Sequence, residues 1–319
     1  MLQRARTLVA IAALLTSAAV AAFPDKPITL VQGFAAGGNA DTIARIVAEA
    51  LGKQLGQPVL VDARSGAGGN IASGQVAKAA ADGYTLILLT GGHAVSAAMH
   101  RKLAFDPIED FEWLSLVSKF PFVIASRADG PITSLAELLA MARKAPGTVS
   151  YSSVGIGSTQ HLSGELLQSA AGIRLLHIPY RGGAAPLQDV LGGRVDVMFD
   201  SVTVTRAQAE AGRLRPLAVT SAARIPQLPA VPPVADTIPR FEVMSWTGIA
   251  APKGLPEPLA QQLRSAIVRV LADPAVVRQL DATGGVPSPS ASGAEMKAFV
   301  RGQVEQWKKV VVDAGITPQ

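Results

Sequence analysis

The 319-residue chain contains no cysteine. Thiol catalysis, iron–sulfur clusters and disulfide scaffolds are therefore excluded. Aromatic residues make up only 5% of the chain and charged residues 17%, whereas 49% is hydrophobic and 30 residues are glycine. A chain poor in large rings and rich in small residues suits a densely packed α/β protein. Histidine is scarce: His93, His100, His161 and His177 lack the His-Glu-x-x-His spacing of a metalloprotease. His161 and Glu165 sit one helical turn apart, but two ligands fall short of the three or four a metal site needs. There is no Gly-x-x-x-x-Gly-Lys-Ser/Thr phosphate loop and no Gly-x-Ser-x-Gly nucleophile elbow. Gly66-Ala67-Gly68 and Gly155-Ile156-Gly157 stop short of a dinucleotide fingerprint, since Ile71 and Gln160 stand where its last glycine belongs. Basic residues are scattered, which argues against nucleic acid as a partner. No cofactor is implied.

At the N-terminus Arg4 and Arg6 precede an apolar run from Leu8 to Leu15, with small residues up to Ala22. This is the pattern of a secretory signal over residues 1–22, cleaved after Ala21 or Ala22. No later stretch reaches the roughly 18 uninterrupted apolar residues of a membrane span. The mature protein is expected to be exported and soluble. Removing the signal takes the formal charge from +5 to about +3 and leaves about 297 residues. One core stops growing near ~250–300 residues, so two lobes are expected.

What the chain has in quantity is one repeated unit. Ile28 to Val31 is a short β-branched run, the composition of a buried strand. The loop from Gly33 to Asp41 follows, and then Ile43, Ile46, Val47, Ala50 and Leu51 recur at helical spacing. Asn39 or Asp41 can cap that helix, while Gly37 and Gly38 turn the backbone with their N–H groups bare. A helix start carries unpaired N–H groups and the positive end of its dipole, so it holds anions; the same glycines equally serve a plain tight turn. The unit recurs. Pro58–Val61 leads into Arg64–Asn70 and a helix over Ile71–Ala81. Tyr84–Leu89 ends in Thr90-Gly91-Gly92-His93. Val149–Ser152 ends in Gly155–His161, before a helix to Ala171. Leu175–Pro179 ends in Tyr180-Arg181-Gly182-Gly183, and Val195–Phe199 ends at Asp200-Ser201.

Alternating strands and helices predict a mostly parallel sheet covered on both faces, with ligands outside the carboxyl ends of the strands. Phe111–Val117 reads as another strand, and Phe120–Ala125 as a crossing into a second lobe. Ser134 and Glu137 make a capping box. Trp246–Ala251 crosses back, before helices over Glu257–Leu271 and Glu295–Ala314. In the last, Met296, Phe299, Val300, Trp307 and Val311 form a stripe that packs on the first lobe. The expected lobes are 23–124 with 247–319, and 125–246. Two α/β lobes joined by two crossings leave a hinge cleft between them.

The loops at that cleft point to recognition. Ser158 and Thr159 offer hydroxyls, and the N–H groups of Gly37, Gly38 and Gly157 can reach an acid. Carboxylates suit the loops better than phosphates because lysine and arginine are sparse there. Arg181 either pairs with that acid or forms a salt bridge on the rim. Asp200 either accepts from a ligand amine or hydroxyl or caps the next helix. Phe34, Tyr180 and Trp246 are candidate walls, Trp246 also fitting hinge packing. His93 and His161 read as hydrogen-bonding residues of loop and helix. No two groups read as nucleophile and base, so an enzyme is not expected.

The loop Phe34–Asp41, the segments Arg64–Asn70 and Asp82–Leu86, and Asp110-Phe111 together resemble the substrate-binding receptors of tripartite tricarboxylate transporters, the Bug or TctC-type proteins. So do Tyr151–His161, His177–Gly182, Leu191–Gly193, Leu217–Ser221 and Trp246–Pro252. The resemblance covers nearly the whole mature chain. It implies a two-lobe type II periplasmic-binding-protein fold that closes on a small organic acid. A monomer in the periplasm that delivers its ligand to membrane permease subunits, or to a membrane signalling partner, follows from it. It also implies carboxylate contacts at Phe34, Ala36, Gly37, Gly38 and Asn39, and again at Gly157, Ser158 and Thr159. The chain departs from the family at Gly33, Ala35 and Ala36, where prolines are common, and at Asn39, where serine is frequent. It also has Asp62-Ala63 in place of Glu-Asn.

Overall fold

A computed structural model describes residues 23–318; the expected signal segment lies outside them. The first half of the chain runs β1 (Ile28–Gln32), α1 (Asn39–Leu55), β2 (Val59–Ala63), α2 (Asn70–Val76), β3 (Thr85–Thr90), α3 (Gly91–Met99) and β4 (Phe111–Arg127). Then come α4 (Leu135–Lys144), β5 (Ser150–Ser153), α5 (Thr159–Ala171), β6 (Leu176–Pro179), α6 (Ala185–Leu191), β7 (Val197–Ser201), α7 (Val202–Glu210) and β8 (Leu214–Val219). The chain ends with β9 (Met244–Pro252), α8 (Glu257–Ala272), α9 (Pro274–Ala282), β10 (Val286–Pro287) and α10 (Gly293–Asp313).

β1 pairs in parallel with β2 and β3, and β5 in parallel with β6 and β7. β3 and β4 each run antiparallel to β9, and β7 runs antiparallel to β4. The order β2-β1-β3-β9-β4-β7-β5-β6 thus repeats one pattern, second strand, first, third, then an antiparallel crossing strand, from either end. This is an α/β fold with a mixed sheet, parallel in its outer strands.

The two strands expected over Phe111–Val117 and Phe120–Ala125 are one continuous strand of 17 residues. Its ladder with β9 shifts register between Trp113 and Ser115 and between Leu116 and Ser118, and such bulges bend a strand without ending it. Pro121, which lacks the N–H a ladder needs, sits at the last pair of that ladder, opposite Met244. The expected lobe boundary at 124/125 therefore falls inside β4. The helix expected over Ile71–Ala81 stops at Val76, where Lys78 and Ala79 bond to carbonyls three residues back. α9 and β10 were not expected. Asp273 caps α9 by accepting from the Ala275 N–H at 2.7 Å, and Pro274 takes the first turn.

Packing follows the apolar periods. α1 buries Ile43, Ala44, Val47, Ala48 and Leu51 over the sheet. Ser134 accepts from the Glu137 N–H, as expected of its cap, and α4 buries Leu135, Leu138, Leu139 and Ala142. α10 buries Met296, Val300, Val304, Trp307 and Val311 against α3 and β4. In the second half Tyr151 of β5 is fully buried, stacks on His177 and donates its hydroxyl to Glu165 at 2.7 Å. α5 approaches that ring so closely that a Cβ on Gly164 would lie 2.3 Å from it. Gly164→Ala is therefore expected to lower stability by about 1–3 kcal/mol, as overpacking does. Chemical denaturation measures this; an unchanged midpoint would show that α5 can lift off Tyr151 freely.

Candidate functional site

The strand ends of the two halves meet across a narrow cleft, about 500 Å³ of free space when its solvent-open mouth is counted. Three helix starts line it: Gly38, Thr90 and Ser158, the N-caps of α1, α3 and α5. Its sides are apolar, with Phe34, Val154, Phe120 and Phe122. Gln160, Gly182, Gly183, Asp200 and Ser245 complete the wall with Asn39, Ala40 and Thr159. Among the described residues, no lysine, arginine or histidine lines it.

Each wall element is held from below. Gln32, fully buried, clamps the first loop: its Nε2 donates to the Phe34 carbonyl at 2.7 Å and its Oε1 accepts from the Phe34 N–H at 2.8 Å. This fixes Phe34 at the cleft. The Ala35 N–H donates to the Arg181 carbonyl at 3.2 Å, so the loop before α1 touches the loop after β6. Thr203 donates its hydroxyl to Asn39 Oδ1, and Ser96 donates to the Gly157 carbonyl at 3.4 Å.

Two caps work as hydroxyl acceptors. Thr90 Oγ1 accepts from the Gly92 N–H and Ser158 Oγ from the His161 N–H, both at 3.2 Å. Thr159 is different: only 2% exposed, its Oγ1 has no hydrogen-bond partner among the described residues. A Cβ on Gly91 would lie 2.7 Å from Ser245 Oγ and 2.9 Å from Thr159 Oγ1. Only glycine at position 91 therefore lets these two hydroxyls approach one point beside its Cα. Buried polar atoms are nearly always paired, so an unpaired one at a cleft marks a place for a ligand atom.

Asp200 is 4% exposed. Its Oδ1 accepts from the Ser201 N–H at 2.7 Å and from Ser201 Oγ at 3.4 Å. Burial pushes its carboxyl up to about 6, against the pull of those two hydrogen bonds. The N-cap of α7 is Ser201 rather than Asp200, so the capping alternative does not describe it.

Of the sequence-expected site residues, Phe34, Gly38, Asn39, Thr90, Ser158, Thr159, Gly182 and Asp200 meet at this cleft. The others lie elsewhere. Ala36 and Gly37 are exposed at the tip of their loop. The Gly37 N–H is not bare: it donates to Asp41 Oδ2 at 3.1 Å, and Arg45 donates to both Asp41 oxygens. Asp41 is thus an anchor for the loop, and Gly38 is the helix cap in place of Asn39 or Asp41. Gly91 sits behind the wall. His93 donates Nε2–H to the Pro107 carbonyl at 2.7 Å within a cage of Phe105, Phe111 and Trp113. Burial pulls its pKa down to about 4, so it is neutral at pH 7.

The Gly157 N–H donates to His161 Nδ1 at 3.4 Å, and His161 stacks on His177 with ring centres 4.2 Å apart. Both belong to the support under α5. Tyr180 turns its hydroxyl to Asp189. Arg181 is exposed, makes no ion pair among the described residues, and borders a second, outer recess with Tyr180 and Gly155. Trp246 is 1% exposed and packs edge-on against Phe299. Phe120 and Phe122 were missed, although two aromatics at a spacing of two on a strand share one face. Ser245 carried no signal in the sequence.

Asp200→Asn follows from the raised pKa. An acid that ionises at about 6 in the fold, against an ordinary 3.8, destabilises the fold when charged. The substitution is expected to add up to about 3 kcal/mol at pH 7. The gain should fall as pH drops through 6 and vanish below about 4, where both states hold the proton. Urea titrations at pH 7 and pH 4 check this, and a gain of equal size at both would contradict it.

The family model described as tripartite tricarboxylate transporter family receptor matches residues 43–316. The periplasmic binding protein BugD superposes with a TM-score of 0.89 at 36% identity, over 93% of this chain and 100% of that one. Rpa4515 of R. palustris, solved with adipate, gives the same TM-score, identity and coverage. MatC from Rhodopseudomonas palustris, solved with bound malate, gives a TM-score of 0.86 at 31% identity, over 91% of this chain and 100% of that one.

Proposed function

Because this chain belongs to the tripartite tricarboxylate transporter receptor family, a family of solute receptors rather than enzymes, we propose that its cleft captures a small organic acid by the carboxylate. The carrying observation is the convergence of three helix starts and Thr159, whose hydroxyl has no partner among the described residues, on one cleft that no described lysine, arginine or histidine lines. Each helix start brings roughly half a positive charge, which favours an anion without a cationic side chain. Phe34, Phe120, Phe122 and Val154 then shield the body of the acid from water.

The relatives solved with adipate and malate support an acid of this size. Residues 23–124 with 247–319 act as one lobe and 125–246 as the other, turning about β4 and β9. Closure brings Phe34 and Gly38 against Gly182 and Gly183 from the opposite side. The receptor works as a monomer in the periplasm, exported by its N-terminal signal, and hands the acid to membrane permease subunits.

A thermal-shift screen of the purified protein against mono-, di- and tricarboxylates, aromatic acids and amino acids tests the reading. One chemical class should raise the melting temperature, because a ligand that binds only the folded state stabilises it. Thr159→Val removes a hydroxyl that has no partner among the described residues, so the empty variant should melt no lower than wild type. Its affinity for the identified acid, measured by calorimetry, should fall about 10-fold, as loss of a hydrogen bond to a charged group implies. Full affinity in the variant would take Thr159 out of the site.

A further inference from the structure

The cleft is chemically lopsided. At one end Thr159 Oγ1 and Ser245 Oγ approach one point beside the start of α3. At the other end stands Asp200, and it is the only ionisable side chain in the wall among the described residues. The sheet sets the two ends apart. Ser245 on β9 faces Phe120 of β4, while β7 lies on the other side of β4, with Ser201 opposite Phe122. Two strand spacings, about 10 Å, therefore separate β9 from β7. Phe120 and Phe122, on the intervening β4, line the same cleft.

Asp200 itself is half satisfied. Oδ1 takes both Ser201 contacts, and Oδ2 takes no hydrogen bond among the described residues. An unpaired carboxylate oxygen left accessible on a residue that is otherwise buried at the cleft fits a donor and rejects a second acceptor, above all a charged one. Among the described residues no cationic side chain in the wall neutralises a like charge placed beside it.

We infer that the acid taken by this cleft carries one carboxylate, seated at the Thr159 end, and a hydroxyl or ammonium at its far end that donates to Asp200, so that a dicarboxylate of equal length is selected against. The inference rests on the carboxylate-receptor reading above and narrows it. Asp200 is then the residue that sets specificity, and its position at the cleft accounts for why a carboxyl that weakens the fold stands there. At neutral pH it is ionised, since burial raises its pKa only to about 6.

Calorimetric titration of the unfolded and refolded, ligand-free protein with matched acids tests this. The six-carbon set is 6-hydroxyhexanoate, 6-aminohexanoate, hexanoate and adipate; the four-carbon set is 4-hydroxybutyrate, 4-aminobutyrate, butyrate and succinate. At the better length, the hydroxy or amino acid should bind at least about 10-fold tighter than the dicarboxylate, the scale on which an unmet buried polar group discriminates. Asp200→Asn should shrink that ratio or reverse it. The wild-type ratio stands alone should the variant not fold.

A wild-type protein that binds adipate or succinate as tightly as its hydroxy and amino counterparts overturns the inference and leaves the receptor reading in place. An unchanged ratio in a folded Asp200→Asn protein overturns Asp200 as its origin. Binding of no acid from either set overturns the inference alone where the wider screen finds another carboxylate that binds, and the carboxylate reading with it where that screen finds none.

Discussion

A parallel strand–helix unit puts the end of its strand and the start of its helix on the same edge of the sheet. Everything at the cleft depends on that constraint. β1 with α1, β3 with α3 and β5 with α5 each deliver a helix N-cap to the carboxyl edge of their own half. β4, unbroken over 17 residues and paired with β9 on one side and β7 on the other, turns the two edges toward each other. The positive ends of helices from both halves then share one cleft. In the proposed reading anion binding comes from this backbone geometry, and the cleft needs no lysine or arginine, neither of which lines it among the described residues.

The side chains around that space divide into those that meet it and those that hold the loops still. Gln32 clamps Phe34, Asp41 gathers Gly37 and Arg45, and His161 takes the Gly157 N–H while stacking on His177. These are costly buried polar groups, but each is paired, so each stiffens a loop without loosening the fold. Thr159 Oγ1 and one oxygen of Asp200 are the exceptions. Thr159 Oγ1 is buried without a partner, Asp200 Oδ2 takes no hydrogen bond among the described residues, and both residues line the cleft. Stability given up at particular atoms of a binding site is the expected mark of a function that needs those atoms free.

Much of this was legible in the sequence, and the unread part has physical causes. The strand–loop–helix units announce themselves by period, and the loops at Phe34–Asn39, Thr90, Ser158–Thr159 and Asp200 are where the structure places the cleft. Spacing alone does not say which way a loop residue points. Gly37, Asp41, His93, Gly157 and His161 have the right chemistry and the right loops, yet their partners are within the protein. β4 read as two strands because Ser118, Lys119 and Pro121 suggest a break, whereas bulges and the ladder end at Pro121 let it continue. α9 was readable from Asp273-Pro274, a cap followed by a first-turn proline. Ser245 was not readable, because only the pairing of β9 with β4 brings it opposite Phe120.

The most direct test of helix-start recognition is a crystal structure of the protein with the acid that raises its melting temperature most. The account predicts carboxylate oxygens within hydrogen-bonding distance of Thr159 Oγ1, beside the starts of α3 and α5, with the body of the acid against Phe34, Phe120 and Phe122. A carboxylate paired instead with the Arg181 guanidinium in the outer recess, the Thr159 hydroxyl left unpaired, would contradict it.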